Sequence, residues 1–115
     1  MAFIGKDEEN WGQVVALMNR TDEGKIIIVK NKEAGNPPSN ERTKIIEVDS
    51  AKPLIELKKE IMEKLKRELS NDFEVSLSLA SGNGKEHMAL ISALLSIPVG
   101  IRLVIYTKNG IEYIN

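Results

Sequence analysis

Residues Phe73–Ala80 alternate apolar and polar along their length, enter the turn Ser81-Gly82-Asn83-Gly84-Lys85, and pass at once into the apolar run Met88–Leu95. The side-chain period changes there from two residues to about 3.6, the mark of a strand feeding a helix. A second strand pattern, Ile101–Thr107, follows that helix. A strand–helix–strand unit favours parallel strands joined by a right-handed crossover, so this stretch commits the chain to an α/β sheet. The same turn aims backbone N–H groups and Lys85 at one spot beyond the strand's carboxyl end, a place suited to an anion such as phosphate.

The remaining segments extend this pattern. Ala2–Gly5 is a short apolar strand, and Trp11, Val14, Val15 and Met18 recur at helical spacing until Thr21-Asp22-Glu23-Gly24. Lys25–Lys30 contains Ile26, Ile27, Ile28 and Val29, a continuous run expected of a strand covered on both faces. A Gly/Pro-rich loop, Ala34–Arg42, leads to a third strand at Thr43–Asp49. Leu54, Ile55, Leu57, Ile61, Met62, Leu65 and Leu69 form the apolar stripe of a long helix. Its lysines alternate with Glu56, Glu60, Glu63 and Glu68, so the opposite face is a solvated one rather than a DNA-binding surface. Ile101–Thr107 and Ile111–Ile114 flank Lys108-Asn109-Gly110, and Asn-Gly between two apolar runs predicts a closing antiparallel hairpin. The fold class expected is α/β: a three-layer, Rossmann-like, mostly parallel sheet with helices on both faces and a C-terminal antiparallel hairpin. Residues 1–115 are expected to form a single domain.

Several chemistries are excluded by residue type. There is no cysteine and only one histidine, His87, so disulfides, thiolate metal sites and multi-histidine centres are ruled out. A net charge of −1 argues against a broad nucleic-acid surface while permitting a local basic pocket. No apolar run reaches the roughly 18 residues of a membrane helix, and the N-terminus turns acidic after Lys6, so a soluble cytoplasmic chain without membrane association is expected.

Two turns qualify as ligand sites if the first and fourth strands are neighbours: Gly5-Lys6-Asp7 after the first, and Ser81-Gly82-Asn83-Gly84-Lys85 after the fourth. The second turn fails the stricter phosphate motifs. Walker A would require Gly at Leu79 and Ser or Thr at Glu86, and the dinucleotide fingerprint lacks its third glycine. Two glycines, the polar Ser81 and Asn83, and the charge of Lys85 remain. The competing reading is steric: glycines shaping a strand-to-helix turn, with Lys85 merely exposed. Ser76 and Ser78 suggest a central strand with a helix close on one side. Lone His87 reads as a surface or satisfied structural group, and Trp11 as core or a subunit contact. Asp7, Glu8 and Glu9 are explained by the dipole at a helix start. No Ser/His/Asp set can be assembled.

With these residues in view, the chain resembles CARF domains, the CRISPR-associated Rossmann-fold sensors of cyclic oligoadenylates, in particular the sensor portion of archaeal regulators. The likeness rests on Ser81-Gly82-Asn83-Gly84-Lys85 followed by Met88, Ala89, Leu90, Ala93, Leu94 and Leu95, and on the terminal strand and hairpin. It departs from the family in the spacing of Met88 from Lys85 and in lacking Ser or Thr in Gly5-Lys6-Asp7. Relatives usually carry a winged-helix or nuclease domain after the sensor, and this sequence ends at Asn115. The resemblance implies a role in antiviral defence. It also implies a homodimer holding a cyclic oligoadenylate or similar phosphate-bearing ligand across its two-fold axis, with phosphates against paired Lys85 groups and helix N-termini. Gly5, Lys6, Asp7, Ser81, Gly82, Asn83, Gly84 and Lys85 are the ligand-binding residues implied. No cofactor, no metal and no direct DNA binding by this domain are expected. Two alternatives stand: slow cleavage of the ring by the ligand's own ribose hydroxyl, for which no base is evident, and an interaction module without ligand.

Overall fold

Ten short elements follow one another in a computed structural model that describes residues 1–115. They are β1 (Ala2–Ile4), a 3₁₀ turn (Glu8–Asn10), α1 (Trp11–Arg20), β2 (Ile26–Asn31), β3 (Thr43–Val48), α2 (Leu54–Glu68), β4 (Glu74–Leu77), α3 (Gly84–Ser96), β5 (Gly100–Thr107) and β6 (Gly110–Tyr113). They build a compact α/β arrangement of three α-helices and two small sheets. In the first sheet, β1, β2 and β3 lie side by side and parallel. In the second, β4 runs parallel to β5, and β5 antiparallel to β6. The sheets meet where Ala2 bridges to Ser78 in parallel register and the Ser78 N–H donates to the Met1 carbonyl at 2.9 Å.

Strand alternation divides the core in two. Phe3, Ile27, Val29, Ile46 and Val48 point toward α2 and α3, where they join Val75 and Leu77 of β4 and Leu57, Ile61, Leu65, Leu90 and Leu94 of the helices. Ala2, Ile4, Ile26 and Ile28 point the other way, against Val14 and Met18 of α1. The β-branched run of β2 is therefore buried on both faces, as its sequence predicts. Lys30 continues the α1 side of that strand and is buried as well, with Glu47 on the neighbouring strand at 3.3 Å.

Four expectations are corrected. Ile55 is 68% exposed because it lies about a quarter-turn outside the stripe centred on Leu57, Ile61 and Leu65. Phe73 is 91% exposed and precedes β4, which covers only Glu74–Leu77 of the Phe73–Ala80 stretch. The hairpin pairs Thr107 with Gly110, so its turn residues are Lys108 and Asn109, and Gly110 adopts the left-handed region (φ +101) directly after them. Finally, the helix on the Ser76 and Ser78 side is α1, and a cleft rather than tight packing separates them from it, although Ser78 is itself buried. That cleft is small and walled by Met18, Val104 and Tyr113, between α1 and the β5–β6 hairpin.

Leu90 of α3 is fully buried in the core cluster that strands of both sheets share with α2 and α3, so Leu90→Ala is expected to cost about 2–5 kcal/mol. Ile55→Ala should change stability by no more than about 0.5 kcal/mol. Urea denaturation midpoints measure both, and a comparable loss at the two positions would refute the core assignment.

Candidate functional site

The turns after β1 and β4 are distant in sequence and touch in space. The Gly5 N–H donates to Ser81 Oγ at 3.1 Å, and the Ser81 hydroxyl donates to Asp7 Oδ1 at 2.8 Å. Asp7 also accepts the Gly82 N–H, at 3.1 Å on Oδ1 and 3.3 Å on Oδ2, and the Asn10 side-chain amide at 2.8 Å. Trp11 Nε1 donates to the Gly5 carbonyl at 3.1 Å, which anchors the start of α1 to the same knot. His87 Nε2 donates to the Ser81 carbonyl at 2.7 Å. The histidine is thus a satisfied structural group, and Trp11 packs against the α1-side core.

Close approach explains both glycines. A Cβ on Gly5 would stand 2.8 Å from Asp7 Oδ1 and 3.0 Å from Gly82 Cα. Gly82 sits at φ +97, and a Cβ there would meet His87 Nε2 at 3.1 Å and Phe3 Cδ1 at 3.2 Å. These two residues are small because the turns pack on each other, the steric reading of the sequence.

The next residues form a capping box. Glu86 donates its N–H to Asn83 Oδ1 at 2.9 Å, and the Asn83 N–H donates to Glu86 Oε1 at 3.0 Å. The buried Glu86 carboxylate also accepts from the Ser50 hydroxyl. Asn-x-x-Glu before an apolar helix is the sequence signal for this device, and it identifies Glu86 where phosphate-motif reasoning passes over it.

The expectation that the Gly82 and Asn83 amides face a ligand is therefore corrected: they are taken by Asp7 and Glu86, the protein's own anions. Gly84 and Lys85 differ, since their N–H groups, in the first turn of α3, have no acceptor within the chain. Space beside Gly84 is open, with no atom within 4 Å of a Cβ placed there. Lys85 Nζ reaches over the turn to the Ser50 carbonyl at 2.8 Å. Lys6 lies across an open crevice lined by Asn31, Asp49, Asn83 and Glu86, and pairs with Glu33 at 2.6 Å. That hydrogen bond raises the Lys6 ammonium above its ordinary value and holds the Glu33 carboxyl below its own. Of the eight residues expected, Gly5, Asp7, Ser81, Gly82 and Asn83 form the knot and cap; Lys6 and Asn83 line the crevice, and Gly84 and Lys85 stand in the helix turn beside it without lining it. No group of three or more acidic, histidine or cysteine side chains is placed to hold a metal ion.

Partial burial pushes the Asp7 carboxyl upward, but hydrogen bonds from Asn10, Ser81 and Gly82 outweigh it and hold the group below its ordinary value of 3.8. Missing from the sequence reading is this structural role, which the helix-dipole explanation of the acidic run concealed.

The chain matches no protein family, no curated protein and no solved structure.

Two outcomes test the knot. Ser81→Ala removes a buried acceptor and a donor together and should cost about 1–3 kcal/mol. A carboxyl held low in the folded state stabilises the fold above its ordinary value, and that contribution is lost as pH falls through the lowered value. Asp7→Asn is therefore destabilising at pH 6, and its deficit narrows by pH 3. Denaturation at both pH values checks this, and a deficit equal at both would remove the charge from the account.

Proposed function

We infer that this chain is a ligand-sensing domain of the CARF type, binding a cyclic oligoadenylate or a related phosphate-bearing ligand across a homodimer in the cytoplasm. The observation that carries the reading is the meeting of the two strand-end turns beside an open crevice, with the Gly84 and Lys85 amides lacking an internal acceptor and the Lys85 ammonium in the same turn. The Ala2–Ser78 bridge supports treating the sheets as one Rossmann-like layer ordered β3-β2-β1-β4-β5-β6, flanked by helices on both faces. In that order the turns after β1 and β4 lie at the reversal of winding, where ligands of doubly wound sheets bind.

Occupation of the inner amides narrows the contacts available. A ligand phosphate is held at the outer rim by the Gly84 and Lys85 amides and the Lys85 ammonium. Lys6 turns toward it from its exposed pair with Glu33. Asp7 and Glu86 shape the rim and repel an anion that goes deeper. His87 turns Nε2 to the Ser81 carbonyl and does not line the crevice, so ring cleavage gains no support. The internally satisfied amides favour one other reading, an interaction module that keeps the turn without a ligand.

Titration calorimetry with cyclic tetra- and hexa-adenylate separates these readings. Binding without linear products is expected, and Lys85→Ala should weaken it by about 1.5–3 kcal/mol, the range for a hydrogen bond to a charged group. Linear products would identify a ring nuclease. No heat with either ring would leave the interaction module.

A further inference from the structure

The cleft beneath α1 shares no residue with the crevice of Lys6 and Asn83. Gln13 pins α1 to β5: its side-chain amide donates to the Tyr106 carbonyl at 2.8 Å, and its oxygen accepts the Tyr106 N–H at 2.6 Å. Beneath the helix, β1 and β4 meet and present the small side chains of Ala2, Ser76 and Ser78. A cavity of about 50 Å³ stands above this floor, with Val14, Met18 and Val104 among its walls. Ten of its fifteen lining residues are hydrophobic, so a water inside finds few partners. Protein interiors leave few voids larger than a water, which makes this space a pocket rather than packing slack. One buried polar group faces it. Ser78 is 3% exposed, and its hydroxyl accepts the Ala80 N–H at a long 3.4 Å while its own proton has no acceptor within the chain. The charged groups of the lining are already engaged. Glu23 accepts from the Ser76 hydroxyl at 2.9 Å, Lys25 is held by Asp72 at 2.8 Å, and the Met1 amine donates to the Ser76 carbonyl at 2.7 Å. Burial pushes that amine down to about 6, against the pull of Glu23, so it carries little charge at neutral pH. Glu23 and Tyr113, both exposed, mark the mouth.

We propose that this cavity binds a slender neutral molecule, a short alkyl chain bearing one hydrogen-bond acceptor such as a carbonyl. The acceptor takes the Ser78 hydroxyl proton, and the chain lies along Val14, Met18 and Val104. Size and charge both select this class. Benzene needs a cavity of about 150 Å³, so a space of about 50 Å³ admits a chain in place of a ring. An ionised ligand would lose its hydration and find no free counter-charge in the lining. The flexible Met18 side chain lets one wall adjust to the chain. The site does not depend on the sensor reading.

Methyl NMR of the full chain, titrated with 2-pentanone and separately with xenon, tests it. Saturable shifts are expected at the Met18 and Val104 methyls and not at Leu65, which belongs to the other core. The 2-pentanone dissociation constant should be tighter than roughly 50 mM, the weak limit for six non-hydrogen atoms. Ser78→Ala should weaken 2-pentanone roughly two- to tenfold, the range for one neutral hydrogen bond, while xenon, which accepts none, binds as before. Val104→Phe fills the space and should abolish both, read at Met18. Lys85→Ala changes neither. Circular dichroism shows whether each variant is folded, and if Val104→Phe is not, the Ser78→Ala comparison decides. The proposal is overturned by an absence of saturable shifts at Met18 and Val104, or by equal shifts at Leu65. It is overturned as well if Ser78→Ala leaves 2-pentanone affinity unchanged or weakens both probes alike, or if folded Val104→Phe still binds.

Discussion

One carboxylate fixes the way the two halves of the molecule meet. Asp7 reaches across 74 positions of sequence to the Ser81 hydroxyl and binds the Gly82 amide, while Ser81 accepts the Gly5 N–H from the same side. Elsewhere the strands of the two sheets touch only at the Ala2–Ser78 bridge and the Met1 contacts beside it. The apolar core can hold the sheets together, but it is non-directional. The hydrogen-bonded knot supplies the direction and sets the relative height of the two turns. It also requires glycine at positions 5 and 82: a Cβ on Gly5 would crowd Asp7 Oδ1 and Gly82 Cα, and Gly82 holds a left-handed φ of +97.

The same interaction governs what the crevice can accept. An anion placed among convergent amides is satisfied wherever it comes from, and here Asp7 and Glu86 supply it from within the chain. The inner amides are thereby spent on folding. Chemistry open to a ligand moves outward, to the first turn of α3 and to cations with weak, exposed partners. An ion pair such as Lys6–Glu33, open to water on both sides, stabilises little and is readily exchanged for another anion.

How much of this can be read from the chain depends on sequence distance. The strand–turn–helix passage around Ser81 is visible because Val75, Leu77, Leu90 and Leu94 carry local periodicities that the core then uses. The β2 run and the hairpin are legible for the same reason, with the connection shortened to Lys108-Asn109 because Gly110, at a left-handed φ, already pairs with Thr107. Ile55 misleads because it is apolar yet sits at the margin of its stripe. Asp7 is opaque for a deeper reason: an acidic residue before a helix already has a sufficient local explanation, so nothing in the sequence points to a partner 74 positions away. Glu86 is intermediate, since its capping spacing to Asn83 is local but its bond to Ser50 is not.

Amide hydrogen exchange tests the central claim most directly. If Asp7 and Ser81 tie the turns together, the Gly5 and Gly82 amides exchange slowly, with protection close to that of β2, while the Gly84 and Lys85 amides exchange as exposed groups do. Rapid exchange at Gly82, matching that of Gly84, would show that the knot does not persist in solution and would contradict the account.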